Sequence, residues 1–201
     1  MALRRDIVTS LIAVVVLTLF CGVLYPLLIT GISQVAFPGN ANGQRVYVNG
    51  KLVGSKIIGE NFGGDPRYFQ SRPSATTPPN NAAASTFSNL GPNNVATERA
   101  IAANIRAYLK LNSRYDPGLS AAQVPVDAAN TSASGIDPDI SIANADIQAH
   151  RIAAVRHLPM ATVMHLISQN TVGRGLGFSG ETGVDVLELN LALDHMTGAR
   201  A

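Results

Sequence analysis

Near the carboxyl end, Gly175-Leu176-Gly177-Phe178-Ser179-Gly180 spells the glycine pattern that cradles a dinucleotide phosphate. That chemistry needs a strand before the glycines and a helix after them, so that phosphate meets a helix N-terminus. Here helical periodicity precedes the glycines and a strand is expected after them, so the stretch reads as a turn. Ser179 falls one residue short of a nucleophile elbow, because Glu181 stands where Gly-x-Ser-x-Gly wants its last glycine. His150, His157, His165 and His195 lack the three- or four-residue spacing that aims two imidazoles at one metal. Asp137-Pro138-Asp139 could offer two carboxylates to a hard cation, yet it has neither the glycine turn nor the distal glutamate of a calcium loop. A turn in which Asp caps its own backbone suits it better. No Gly-Lys-Ser/Thr phosphate loop occurs. The expectation is therefore no catalytic constellation, no metal site and no recognisable cofactor site.

What remains is the chemistry of recognition. Arg67, Tyr68, Phe69 and Arg72 lie together in Arg67-Tyr68-Phe69-Gln70-Ser71-Arg72-Pro73, and arginine and aromatic rings are enriched at binding hot spots. They either stack on a ligand or a partner, or pin the loop to its own domain by aromatic burial. Their host, from Asp65 to Asn94, is rich in Pro, Asn, Ser and Thr and includes Asn89. A loop of such length is usually functional or disordered, which makes it the first expected contact surface. Arg151 and Arg156, on a later helix, are further contact candidates or solvated charges.

The elements that must position these groups begin with an apolar run. No residue between Asp6 and Arg45 carries a charge, and about 20 apolar residues at about 1.5 Å each cross a hydrocarbon core. The spacing predicts a tip over 1–6, a transmembrane helix over 7–30, a connector over 31–44 and a soluble domain over 45–201. The run is too long for a cleaved signal, and Phe20 before Cys21 is too bulky for lipoprotein processing. Pro26 predicts a bend near the outer boundary with Tyr25 at headgroup level. Gly22 and Gly31 would let another helix approach closely. The basic tip Arg4-Arg5 predicts a cytoplasmic N-terminus and an extracytoplasmic domain.

Val46-Tyr47-Val48, Asn49-Gly50 and Lys51-Leu52-Val53 predict a hairpin, since Asn-Gly accepts the positive φ angles of a two-residue turn. Ile57-Ile58 is expected to extend its sheet. Ile101, Ile105, Tyr108 and Leu109 share one face of a helix over 95–112. Ser141 caps a second helix running to Leu158, and a third over 160–170 carries Val163, Leu166 and Ile167 inward. A terminal strand is expected over 184–193, with a bulge where its apolar positions shift from even to odd. The fold class is α+β. A net charge of +2 with 14% charged residues offers no basic field for nucleic acid, and the one cysteine excludes an internal disulfide.

Taken in order, several blocks resemble the KdpC family. They are Gly54-Ser55 with Ile58-Gly59, Tyr68-Phe69-Gln70-Ser71-Arg72-Pro73-Ser74, Ser88-Asn89-Leu90-Gly91-Pro92, Val124-Pro125 with Asp127, and Ser132-Ala133-Ser134-Gly135-Ile136-Asp137-Pro138. Gln148 with Arg151-Ile152-Ala153 and Arg156, Gly180-Glu181 and Leu189-Asn190 complete the set. The chain departs from the family's usual pattern at Asp139 (usually His), at Pro79-Asn80 (usually Tyr-Asn) and at Thr182-Gly183 (usually Pro-Arg). The resemblance implies an accessory, non-catalytic subunit of a bacterial inner-membrane potassium-transporting P-type ATPase. Its implied partners are a channel-like potassium-binding subunit, the ATP-hydrolysing subunit and a very small membrane subunit. It also implies a role in assembly and as a catalytic chaperone that raises ATP affinity, with ATP as the only ligand suggested. The alternatives from other classes are a membrane-anchored hydrolase and a small-ligand binding module.

Overall fold

The structure, a computed structural model, describes residues 2–198, which divide after Arg45 into two compact units. In the first, α1 (Ala2–Leu19), a π-helical turn (Phe20–Leu24) and α2 (Tyr25–Ala36) follow one another without a break. Tyr25 N–H donates to Phe20 O, five residues back, so the turn widens just where the ring of Pro26 would collide with a carbonyl. The expected bend is therefore absorbed inside a helix that continues beyond residue 30 to Ala36. This is the one helix among the described residues long and apolar enough to cross a membrane. Its own chain buries none of its side chains. A short α3 (Pro38–Ala41) follows.

The second unit opens with the expected hairpin, β1 (Arg45–Val48) and β2 (Lys51–Ser55), with positive φ at Asn49 and Gly50. Ile57-Ile58 does not extend it. Ile58 N–H turns back on Ser55 O at 3.2 Å, and Gly59 then packs against the Asp137 carbonyl so closely that a Cβ would collide with it. The long stretch after it carries one 3₁₀ turn at Ala82–Ala84 before α4 (Val95–Asn112), capped by Asn94. A 3₁₀ turn at Ala121–Gln123 and the single turn α5 (Val126–Ala129) lead to β3 (Asp139–Ile140).

Ser141 then caps α6 (Ile142–Arg156), accepting from Asn144 N–H at 3.1 Å. His157 ends it with a left-handed backbone, and α7 (Met160–Gln169) starts after Pro159 with Val163, Leu166 and Ile167 buried as expected. β4 (Thr171–Val172) and β5 (Gly183–Asp185) form an antiparallel sheet with β3 in the order β3-β5-β4. The helices and this sheet enclose a core of Phe69, Ile140, Ala145, Ala149, Ile152, Val163, Leu166, Ile167, Val184, Val186, Leu189 and Leu193.

The terminal strand expected over 184–193 is corrected. It stops at Asp185, and α8 (Val186–Thr197) follows at once. Asp185 Oδ1 accepts Glu188 N–H at 2.9 Å and caps the new helix. The shift from even to odd apolar positions marks the change from a period of two to a period near 3.6, and Val186, Leu189, Asn190 and Leu193 form one buried helical face. Asp185 lies opposite Asp139 across the β3–β5 pair. Burial, and then the negative charges of Glu188 and Asp139, push its carboxyl up to about 6, against the capping bonds that pull it down.

A carboxyl raised from about 3.9 in the unfolded chain to about 6 contributes stability that is complete at low pH. That contribution is lost as pH rises through the interval and is gone above it. Asp185→Asn keeps a capping oxygen and removes the titration. Unfolding of the wild-type chain in detergent should therefore grow easier from pH 4 to pH 6.5, with that slope flattened in the variant.

Candidate functional site

The loop around Arg67 to Pro73 passes through the interior beside α6 and α8, and polar side chains of those helices take the place of a neighbouring strand. The Asn190 carboxamide accepts Phe69 N–H at 2.8 Å and donates to Phe69 O at 3.0 Å. The Gln148 carboxamide does the same for the next residue, accepting Gln70 N–H at 2.7 Å and donating to Gln70 O at 3.1 Å. Both side chains are almost fully buried, and the Phe69 ring between them is wholly so. Burying that ring is worth about 2–3 kcal/mol.

Arg151 completes the clamp. Its Nε donates to Pro66 O at 3.1 Å, Nη2 to Tyr68 O at 2.7 Å and to Gln148 Oε1 at 2.9 Å, and Nη1 to Asn112 Oδ1 at 2.6 Å. These acceptors are all neutral, and the residue has no exposed surface. Burial pulls the guanidinium down to about 10, which still leaves it charged at neutral pH. The network continues from Gln148 Nε2 to Asn144 Oδ1 at 2.9 Å, which also accepts the Tyr108 hydroxyl at 2.9 Å. Asn144 Nδ2 donates to Asp127 at 2.9 Å, and Asp127 holds the backbone N–H and hydroxyl of Ser141. Burial pushes the Tyr108 phenol well above its ordinary value, so it remains a hydrogen-bond donor.

Two expected contact residues are therefore corrected. Phe69 and Arg151 are interior residues of this unit and not part of its surface, because the loop backbone needs both the ring's packing and the guanidinium's donors. Tyr68 and Arg156 are also engaged within the unit. The Tyr68 hydroxyl donates to Asp194 at 3.0 Å, Arg156 pairs with Asp194 at 2.7 Å and stands 4.8 Å over the Tyr68 ring, and Arg156 Nε donates to Arg67 O at 2.7 Å. Burial, then the bond to Asp194, raises the Tyr68 phenol. Arg72 reaches across to Asp137 at 2.7 Å, half-buried, with Nε unpartnered.

Arg67 alone of this group projects into solvent, paired with Asp65 at 2.7 Å, and its hydrogen bond holds the Asp65 carboxyl below the usual range. Asn89 is exposed beside exposed Phe87 and Leu90. In the first unit, a Cβ at Gly22 would meet only Thr18 Cγ2 at 4.0 Å, and one at Gly31 would meet nothing. The long loop thus splits into an interior half near residues 66–74 and an exposed half near residues 82–94.

Sequence reasoning missed the clamp itself. Asn144, Gln148 and Arg151 recur at i, i+4 and i+7, which places three polar side chains on one face of α6. Asn190 sits at a position of α8 where an apolar residue would otherwise face the core. Polar residues at core spacing were the signal. Beside the clamp, a cleft of about 490 Å³ opens between the loop and α4, walled by Pro73, Ala107, Leu111 and Ala128 with Lys110 among its lining residues. Its polar floor, Tyr108, Asn144 and Gln148, is already hydrogen-bonded internally, so the cleft suits an apolar group.

Residues 7–195 match the family described as K+-transporting ATPase, c chain, or KdpC. The chain belongs to the KdpC family. It is 49% identical over 186 residues to the "Potassium-transporting ATPase KdpC subunit" of Methylibium petroleiphilum, covering 92% of this chain and 94% of that one. A KdpC subunit of Methylococcus capsulatus is 48% identical over 188 residues, 93% of this chain and 96% of that one. The KdpC subunit of Mycobacterium tuberculosis is 43% identical over 194 residues, 96% of this chain and all of that one.

Removing the Asn190 carboxamide leaves the Phe69 N–H and C=O buried without partners, each at about 1–3 kcal/mol. Asn190→Ala should therefore lower the unfolding free energy by about 2 kcal/mol or more, and Arg151→Met should cost at least as much. Arg67→Ala, at the exposed end of the same loop, should stay within about 0.5 kcal/mol. Denaturant unfolding of the full chain in detergent reads all three.

Proposed function

We propose that the chain is a non-catalytic accessory subunit of an ATP-driven potassium uptake complex of the bacterial inner membrane, held there by its N-terminal helix and needed for assembly and stability. Its partners are a channel-like potassium-binding subunit, a P-type ATP-hydrolysing subunit and a very small membrane subunit. The observation that carries this reading is where the chain's polar chemistry goes. Asn112, Asn144, Gln148, Arg151 and Asn190 bond to one another and to the loop backbone, while the apolar helix has none of its side chains buried. A domain built this way is a preformed scaffold, and a helix built this way has its natural surroundings in lipid and neighbouring helices. Gly22 and Gly31 are the points of closest helix approach.

The Arg4-Arg5 tip favours a cytoplasmic N-terminus, which puts the scaffold outside, over the outer face of the channel-like subunit. Any rise in the ATP affinity of the hydrolysing subunit then travels through that subunit's own conformations, and this chain does not contact nucleotide.

Expression of the other subunits with and without this chain tests the proposal. With it, an intact complex with potassium-stimulated ATP hydrolysis should be recovered. Without it, the yield of assembled complex should fall steeply, and recovery of fully active subunits would sink the accessory role. A phosphatase reporter fused after Ala201 should be active and a cytoplasm-only fluorescent reporter dark. The reverse pattern would move the domain to the nucleotide side and make direct ATP contact the mechanism.

A further inference from the structure

The small net charge of the chain hides an uneven distribution. Arg99, Arg106 and Lys110 recur on α4 at steps of seven and four, which sets them in one row down the helix, and Arg114 continues the row just past its end. All four are exposed. Among the described residues none of them has a carboxylate partner, and Glu98 is the only acid on α4. Helix stability does not account for the row. Arg106 with Lys110, and Lys110 with Arg114, are like charges four residues apart, which works against a helix. Lys110 suits the last turn, but Arg99 lies in the N-terminal half, where a cation gains nothing from the helix dipole.

Beside the row lies a surface of different chemistry. The face of α4 that carries Ile101, Ile105, Tyr108 and Leu109 points away from the cations, at 100° per residue, and Ala107 and Leu111 fall on the flank between the two. That flank is a wall of the apolar cleft of about 490 Å³, opposite Pro73 and Ala128, and Lys110 belongs to both the row and the cleft lining. The volume is that of an ordinary small-molecule site. Cations in a row beside an apolar slot complement one class of molecule, an anion that carries a hydrocarbon chain.

We propose that this side of α4 holds an anionic phospholipid, its phosphate between Arg106 and Lys110 and an acyl chain in the cleft, with Arg99 and Arg114 against neighbouring headgroups. The tether keeps such a molecule within reach. From Ala36, the end of α2, to Arg45 the chain takes nine steps, which extend to no more than about 30 Å. An acidic protein patch would match the charges and leave the cleft unused. A nucleotide base would need donors and acceptors that the cleft's floor has already spent. The inference rests on the membrane-anchored reading of the N-terminal helix and on no other subunit, and it holds on either side of the membrane.

The test uses the full chain reconstituted in phosphatidylcholine vesicles that contain phosphatidylglycerol with a diazirine on its acyl chain. On illumination, adducts should map to the cleft, at Pro73, Ala107 or Leu111, as well as to the N-terminal helix. The triple variant R99E/R106E/K110E should unfold at the wild-type temperature, since all three side chains are exposed, yet its cleft adducts should fall about tenfold or more. Adducts on its N-terminal helix should not change. Ala107→Phe, which fills the cleft and keeps every charge, should lose the cleft adducts too. Adducts confined to the N-terminal helix, equal cleft labelling by diazirine phosphatidylcholine, or cleft labelling that survives either variant would overturn the lipid site and leave the anchor standing. Absence of adducts on the N-terminal helix would sink the membrane-anchored reading itself.

Discussion

A single buried guanidinium carries much of the second unit. Arg151 has no exposed surface and no carboxylate beside it, so its charge is held by four neutral oxygens from the loop, α4 and α6. Desolvating a charge is costly unless its donors are satisfied, and that requirement fixes where Pro66 and Tyr68 must lie. With those carbonyls in place, Phe69 falls into the core and its backbone needs partners that no strand supplies. Asn190 and Gln148 supply them, one residue each.

The consequence for the surface is a division of labour within one long loop. Its first half is interior and spends its aromatic and basic groups on the domain itself: Tyr68, Arg156 and Asp194 close over the clamp as a nearly buried cluster. Its second half, with Phe87, Asn89 and Leu90, stays outside, as does the turn that carries Leu176 and Phe178. The apolar cleft beside α4 lies between these two behaviours, with a floor satisfied from within and walls free to receive an apolar group.

Much of this was legible in the residues. Asn49-Gly50 specified its hairpin, Ser141 its helix cap, and Ile101, Ile105, Tyr108 and Leu109 the face of α4, because each signal is local. Two failures had a common cause in long-range context. The stretch after Val184 looks like a strand as long as alternation is followed, and only the capping of Glu188 N–H by Asp185 reveals the helix. Phe69 was open to either a partner contact or burial in its own domain and Arg151 to either a contact or a solvated charge, because their burial depends on Asn190 and Gln148, 121 and 78 residues from the backbone groups they hold. Departures from the family's pattern at Asp139 and Gly183 also turn out to be neighbours. A Cβ at Gly183 would stand 2.9 Å from that of Asp139, so the two positions are sterically coupled and a change at one constrains the other.

The most direct test of this account is amide hydrogen exchange at Phe69 and Gln70, measured on the full chain alone and again in the assembled complex. If side-chain carboxamides make this loop part of the core, both amides exchange as slowly as those of α6 in the two preparations alike. Exchange at the rate of a free loop in the chain alone, slowed only on assembly, would mean that the partners and not Arg151 order the segment, and the scaffold described here would not be preformed.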